Sequence, residues 1–302
     1  MNPCPAVLCP IDFSDASRGA LRYARAIAAH LGGRLIVLTV EDPLLTEAAS
    51  IGTGTAWDPA DTRRELERFA SKAFPSHPAD GTAVEYEVRV GTPAKHILRV
   101  AQEGRCDLIV MSTHGLTGMR KMFFGSTTER VLRETTIPVL ATPPGEGSPL
   151  TLEDIRRIVG RVLVPVDLTA ASLHPLQIAR GIAEALTVPF LATAVVEPVR
   201  SPLAAKLHLP SIEQERRSRA EDALAALLEA LPGPLRPEAL VAYGDPAEEI
   251  AKVARDRRAG LIVIGLHASP MLGPHMGSVT YRVLCLAPVL VLAVPPTVID
   301  AR

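Results

Sequence analysis

The stretch from Cys106 to Val131, CDLIVMSTHGLTGMRKMFFGSTTERV, gathers residue types that handle anions. Ser112, His114, Gly115 and Gly118 follow an apolar run, and Gly125-Ser126-Thr127-Thr128 then opens a helical pattern. Small residues at the carboxyl end of a strand let backbone approach a bulky anion. Ser and Thr at a helix start set hydroxyls beside N–H groups that have no intrahelical partner. Together they make a cradle suited to phosphates. The same residues also have plain structural uses, since a Gly-rich loop turns the chain and Ser126 or Thr127 can cap a helix. Near the amino terminus, Pro10-Ile11-Asp12-Phe13-Ser14 ends an apolar run on a carboxylate. Asp12 can accept a hydrogen bond from an exocyclic amine, or it can cap the next helix. His114, Arg120 and Lys121 could face an anion, although loop residues of these types are commonly just solvated.

Elements must hold these groups in place. Ala6–Ile11 reads as a buried strand ending at Asp12, and Ser14 or Asp15 as the cap of a helix with Ala20, Ala24, Ile27, Ala28 and Leu31 on one stripe. Gly32-Gly33 stops that helix, and a second strand covers 34–40. After a Gly/Thr-rich loop through Trp57, 63–74 reads as an amphipathic helix and 84–90 as an alternating strand. Gly91-Thr92-Pro93 starts a helix with Pro in the first turn, where its missing N–H costs nothing. Leu108–Ser112 has the length and β-branched character of a strand buried on both faces. A helix over 126–134 and a strand over 137–142 complete the set. Alternating strands and helices imply crossover connections and a parallel sheet covered on both sides. The pattern predicts strand order 3-2-1-4-5, with the reversal between strands one and four. That order brings Asp12 and the Ser112–Gly115 loop to one crevice.

The pattern then repeats. Val162-Leu163-Val164-Pro165-Val166-Asp167 matches Val7-Leu8-Cys9-Pro10-Ile11-Asp12 at an offset of 155 residues, as Val195 matches Val40. Gly244-Asp245-Pro246-Ala247 matches Gly91-Thr92-Pro93-Ala94 at 153, and Gly277-Ser278-Val279-Thr280 matches Gly125-Ser126-Thr127-Thr128 at 152. Ala287-Pro288-Val289-Leu290 matches Ile137-Pro138-Val139-Leu140 at 150. The expected organisation is a first domain over 1–143, a linker over 144–158 containing a Pro/Gly run, and a second domain over 159–302. In the second copy the loop reads Gly265-Leu266-His267-Ala268 and is one residue shorter, with Pro270 and Pro274 inside it. Asp167 and Ser278 are kept. This copy is expected to bind weakly or not at all, with only the first keeping an opening wide enough for a triphosphate.

Composition sets outer bounds. At 302 residues with 47% apolar content the chain can build two cores, and 4% aromatics make those cores aliphatic. Lys+Arg 32 against Asp+Glu 33 leaves no basic footprint for nucleic acid or membrane surfaces. The start, MNPCPAVLCP, lacks signal-peptide character, and no apolar run reaches the roughly 18 residues of a membrane span. Cys4, Cys9, Cys106 and Cys285 lack zinc spacings and read as reduced, mostly buried thiols of a cytoplasmic protein.

Ser112-x2-Gly115-x9-Gly125-Ser126 resembles the nucleotide-binding signature of the universal stress protein family, Gly-x2-Gly-x9-Gly-Ser/Thr, with Ser112 in place of the first Gly. Pro10-Ile11-Asp12-Phe13-Ser14 and Gly91-Thr92-Pro93-Ala94 resemble further family landmarks, and the second copies extend the resemblance over nearly the whole chain. A tandem member is implied: two doubly wound five-stranded α/β domains forming an intrachain pseudo-dimer through their last strands. The resemblance further implies ATP as ligand, with or without Mg2+, and AMP or cyclic AMP as variants. Asp12, in the Pro10 segment, and the Val40 backbone would contact adenine, and Met111-Ser112 would lie against ribose. Gly115, Gly125, Ser126 and Thr127 would hold phosphates. The function implied is stress-response regulation by a ligand-sensing switch, with a homo-oligomer or protein partner meeting the last-strand edges. Two other readings stay open. One is a nucleotide-free scaffold. The other is an enzyme, at most a slow ATPase, because the catalytic motifs that related nucleotidyl transferases and ATP pyrophosphatases carry after strand one are replaced here by Pro10–Asp15, and no Walker A sequence occurs.

Overall fold

The computed structural model describes residues 4–44, 46–47, 51, 57–74, 81–113, 125–144, 150–198, 210–269 and 273–296. The chain divides into two compact units between Ile155 and Arg156.

In the first unit β1 (Ala6–Ile11), β2 (Arg34–Glu41), β3 (Ala83–Val90), β4 (Leu108–Ser112) and β5 (Val139–Thr142) alternate with α1 (Asp15–His30), α2 (Pro59–Ser71), α3 (Pro93–Glu103) and α4 (Ser126–Glu134). The strands are parallel in the order β3-β2-β1-β4-β5. β1 lies centrally, and Ala6, Val7, Leu8 and Cys9 are all fully buried, as expected for a strand covered on both faces. α1 covers it with Ala20, Leu21, Ala24 and Ala28, and α3 packs Ala94, Ile97, Val100 and Ala101 inward. Each fully buried Leu or Ile in such a layer contributes about 1.5–3 kcal/mol of apolar burial.

The second unit repeats this plan. β6 (Val162–Val166), β7 (Phe190–Val196), β8 (Glu238–Tyr243), β9 (Leu261–Gly265) and β12 (Leu290–Val294) form a parallel set in the order β8-β7-β6-β9-β12. The helices are α6 (Leu173–Leu186), α7 (Pro210–Glu229), α8 (Pro246–Asp256) and α9 (Ser278–Leu286). A short antiparallel hairpin, β10 (His267–Ser269) with β11 (Gly273–His275), fills the connection ahead of α9. The duplication extends to single backbone angles. Left-handed φ values recur in pairs at Phe13 and Leu168, Gly32 and Thr187, Gly91 and Gly244, and Arg105 and Arg258. A bulky residue at positive φ is uncommon, so the shared turn after Asp12 and Asp167 belongs to the unit itself.

Several boundaries differ from the sequence reading. α2 starts four residues earlier, because Asp58 caps it by accepting from the Ala60 N–H and Pro59 fits the first turn. β5 begins at Val139 because Thr135 holds Ile137 in a turn, its Oγ1 accepting from the Ile137 N–H at 3.0 Å. A helix not anticipated in the linker, α5 (Leu152–Val159), is closed by a reciprocal cap: the Thr151 N–H donates to Asp154 Oδ2 at 2.9 Å and the Asp154 N–H to Thr151 Oγ1 at 3.2 Å. Among the described cysteines Cys9 and Cys106 are buried, Cys285 is intermediate and Cys4 is exposed. Burial pushes the Cys9 thiol pKa well above its usual range and the Cys106 thiol up to about 11, which keeps both protonated. Among the described residues no helix is long and apolar enough to cross a membrane.

Candidate functional site

The β1–β4 ladder consists of two pairs only, Val7 with Leu108 and Leu8 with Ile109. Beyond them β1 continues to Ile11 beside β2, while β4 continues to Ser112 beside β5. The strand tips part where the strand order reverses, and a crevice opens there. Its cavity measures about 400 Å³.

At the β1 tip, Asp12 Oδ1 accepts from the Ser14 N–H at 3.1 Å and from Ser14 Oγ at 2.5 Å. Ser14 in turn caps α1, its Oγ accepting from the Ser17 N–H at 3.1 Å. Asp12 is therefore not the helix cap. It braces the cap through one oxygen, and among the described residues Oδ2 has no partner. The left-handed turn at Phe13 lets the chain leave the strand while the carboxylate stays at the crevice.

At the β4 tip, the Gly125 N–H donates to the Thr113 carbonyl at 3.0 Å, and Thr128 Oγ1 donates to the Ser112 carbonyl at 3.1 Å. These two bonds pin the start of α4 beside the end of β4. Gly125 is the N-cap of α4 and has no side chain to cap the first turn, so the N–H groups of Ser126 and Thr127 lack intrahelical partners. The aligned peptide dipoles add partial positive charge there.

Of the nine residues singled out from sequence, Pro10, Asp12, Val40, Met111, Ser112, Gly125, Ser126 and Thr127 line this one cavity. Gly115 lies outside the described residues, as do His114, Arg120 and Lys121. Ser112 is 9% exposed and leaves the cavity open beside it. The sequence reading missed Glu41 and Asp42 at the end of β2, and Pro93 and Ile97 on α3. From sequence, Pro93 reads only as a helix start, and the two acids fall in the loop expected after a strand ending at Val40. Burial, and then repulsion from Glu65, pushes the Glu41 carboxyl pKa above its ordinary value. No Lys, Arg or His is among the described residues lining the cavity, and no group of three or more His, Cys, Asp or Glu among the described residues could hold a metal ion.

The second unit departs from expectation: its opening persists. β6 and β9 also share only two pairs, Val162 with Leu261 and Leu163 with Ile262, and the cavity beyond them measures about 320 Å³. Its chemistry differs from the first. Val279 stands where the first copy has Thr127, and Leu266 where it has Thr113. Gly265 lines it in place of Ser112, and Thr280, not Ser278, lines it from α9. Asp167 Oδ1 accepts from the Thr169 N–H at 3.0 Å and from Thr169 Oγ1 and Ser172 Oγ, each at 2.7 Å.

Comparison with known proteins points one way. The model of the Universal stress protein family matches residues 5–143 and 159–295. A universal stress protein of Thermus aquaticus is 31% identical over 135 residues, which span 44% of this chain and 95% of that protein. One from Methanocaldococcus jannaschii is 26% identical over 148 residues, 44% of this chain and 91% of its own length. Among solved structures, a universal stress protein from Archaeoglobus fulgidus superposes with TM-score 0.60 at 18% identity, covering 97% of both chains. A protein from Pseudomonas aeruginosa PAO1 does so with TM-score 0.63 at 19% identity, covering 97% of this chain and 93% of its own. At these identities the structural likeness concerns the fold.

Proposed function

The chain belongs to the universal stress protein family, with one copy of the family unit at residues 5–143 and another at 159–295, and on that premise we propose that its first unit binds ATP. The nucleotide acts as a ligand that shifts the protein between states in a stress response, because a ligand moves an equilibrium only by its differential affinity for the two states. What supports this reading is one observation: a carboxylate at the tip of β1 and an uncapped helix start at Gly125 meet across a single crevice of about 400 Å³.

The roles follow from chemistry. Asp12 Oδ2 accepts from the exocyclic amine of adenine, and the Val40 backbone at the end of β2 meets the ring edge. Met111 and Ser112 flank the ribose. Gly125, Ser126 and Thr127, with Gly115 in the preceding loop, take the phosphates through N–H groups and hydroxyls. Mg2+ would come with the polyphosphate, since this ion keeps several waters and is commonly held by one or two carboxylates plus phosphate oxygens.

One observation favours a second reading, a nucleotide-free scaffold. Asp12, Glu41 and Asp42 all line the cavity, and a polyphosphate meets three carboxylates there. The purified chain, denatured and its released small molecules weighed by mass spectrometry, separates the two. Retained ATP, lost in Asp12→Ala and kept in Asp167→Ala, supports the nucleotide site. An empty wild-type chain that takes up no added ATP supports the scaffold. Steady release of ADP from added ATP would make the site an ATPase.

A further inference from the structure

Cys4 and Cys106 share one corner of the first unit, where β1 and β4 begin, at the end of the sheet away from the crevice. The Asp107 N–H donates to the Ala6 carbonyl at 2.8 Å, and the Ala6 N–H donates back to Asp107 Oδ2 at 2.9 Å. Continuing the β1–β4 register back from Val7 and Leu108 sets Pro5 opposite Cys106, with Cys4 one step beyond, where the chain bends. Neighbouring strands lie about 4.7–4.9 Å apart, and a disulfide needs roughly 4.4–6.8 Å between Cα atoms. Arg34, opposite Ala6 on β2, ties the corner together. Its N–H donates to the Pro5 carbonyl at 2.9 Å and its Nη2 to the Gly104 carbonyl at 2.6 Å, and a Cβ added at Gly104 would meet Cys106 Sγ at 3.3 Å. The Arg34 pKa is raised, first by its bond to Glu85, and charge on Cys106 or on Cys4 adds to the rise, so both thiols lie within the field of this guanidinium.

The two thiols differ in access. Cys4 is exposed, whereas Cys106 is 6% exposed, and burial, offset in part by Arg34, holds its pKa up to about 11. Cys9, inside β1, is fully buried. Oxidation follows exposure, so a peroxide meets Cys4 first and leaves the buried thiols alone. We propose that Cys4 and Cys106 form a reversible disulfide in response to a hydroperoxide, with Cys4 as the thiol oxidised first and Cys106 as the one that resolves it. Cys4 Sγ takes one oxygen from hydrogen peroxide: the O–O bond breaks, a sulfenic acid forms and one water leaves. Cys106 Sγ then attacks the Cys4 sulfur, the S–O bond breaks, and the hydroxyl leaves with the Cys106 proton as a second water. The two thiols lose two electrons in all, and the peroxide gains them. The inference rests on the first unit's corner alone and does not require the ATP reading of its crevice.

Peptide mapping of the full chain tests it, after brief treatment with hydrogen peroxide followed by unfolding and alkylation. The tryptic peptides 1–18 and 106–120 are expected to be joined, two hydrogens lighter than their sum, and to come apart in dithiothreitol. Fragmentation is expected to place the link on Cys4 and the alkyl group on Cys9. In Cys4→Ser no link forms, and the Cys106 thiol survives the treatment. In Cys106→Ser the reaction stops at the Cys4 sulfenic acid, which dimedone traps at least roughly fivefold more than in the wild type. Should Cys106→Ser fail to fold by circular dichroism, the linked peptide of the wild type and its loss in Cys4→Ser decide the matter. Absence of the linked peptide overturns the proposal, as does a link from Cys9, a link from Cys4 only to Cys4 of a second copy, or equal dimedone trapping in the wild type and a folded Cys106→Ser chain.

Discussion

Gly125 sits at φ −60° and ψ 130°, angles open to any residue. A Cβ built there would find nothing nearer than the Thr113 carbonyl oxygen at 3.7 Å and Thr128 Oγ1 at 3.8 Å, which is ordinary contact. The fold therefore does not demand glycine at this position, and Gly125 lines the cavity. Gly125→Ala should cost no more than about 1 kcal/mol in helix capping, while ATP affinity falls by roughly tenfold or more as the methyl enters the phosphate end. Thermal unfolding and equilibrium dialysis on one preparation would show the split; equal losses in both would make Gly125 a structural glycine. Glu41 gives a pH signature. Its carboxyl pKa is raised in the folded state, by burial first and Glu65 second, above an ordinary value of 4.5. The ionised form is thus disfavoured by folding, so stability is withheld as pH rises from 4.5 through the raised value and is restored below it. Glu41→Gln should raise the melting temperature at pH 7 and leave it unchanged near pH 3.5. A gain of the same size at both pH values would assign the effect to packing.

At the scale of elements, much was legible because the signals are local and physical. Leu108–Ser112 and Ser126–Glu134 fall where the sequence reading set them, the first from an apolar run of strand length and the second from small polar residues before a periodic stripe. Ser14 was one of three candidate caps for α1, beside Asp12 and Asp15, and it is the cap. Other features depend on tertiary contacts that no spacing announces. Glu41 reaches the cavity only because β2 runs one residue past Val40, and Ile97 only because α3 lies against that end of the sheet. α5 did carry a local signal, the Thr151–Asp154 reciprocal cap, hidden behind the Pro/Gly run that precedes it. The α1 cap ties stability to the proposed site, because Ser14 both caps the helix and holds Asp12. Ser14→Ala should cost about 1 kcal/mol of stability and also weaken ATP binding, since Asp12 loses the bond from Ser14 Oγ and keeps only the one from the Ser14 N–H. Restoring the hydroxyl with Ser14→Thr should recover both. Recovery of stability alone would mean that Asp12 is oriented by something else.

At the scale of the whole chain, duplication has kept the frame and let the sites diverge. The short central ladder, the left-handed residue after the strand-one Asp and the crevice beyond it recur in both units. These features belong to the backbone and tolerate exchange of the side chains that line the space. The lining has changed at the helix-start end, where Val279 replaces Thr127 and Leu266 lines the second cavity although its counterpart Thr113 does not line the first. ATP should therefore stabilise one unit and not the other. By mass action, ligand at a hundred times its dissociation constant adds about 2.7 kcal/mol to the state that binds it. Hydrogen exchange on the full chain, with and without ATP, should show slower exchange in β1, β4 and α4, while β6, β9 and α9 exchange as before. The two units serve as each other's control, since protein concentration, salt and temperature are identical for both. Protection spread equally over corresponding elements would show that the valine and leucine replacements do not exclude the polyphosphate, and that both copies still bind the same ligand.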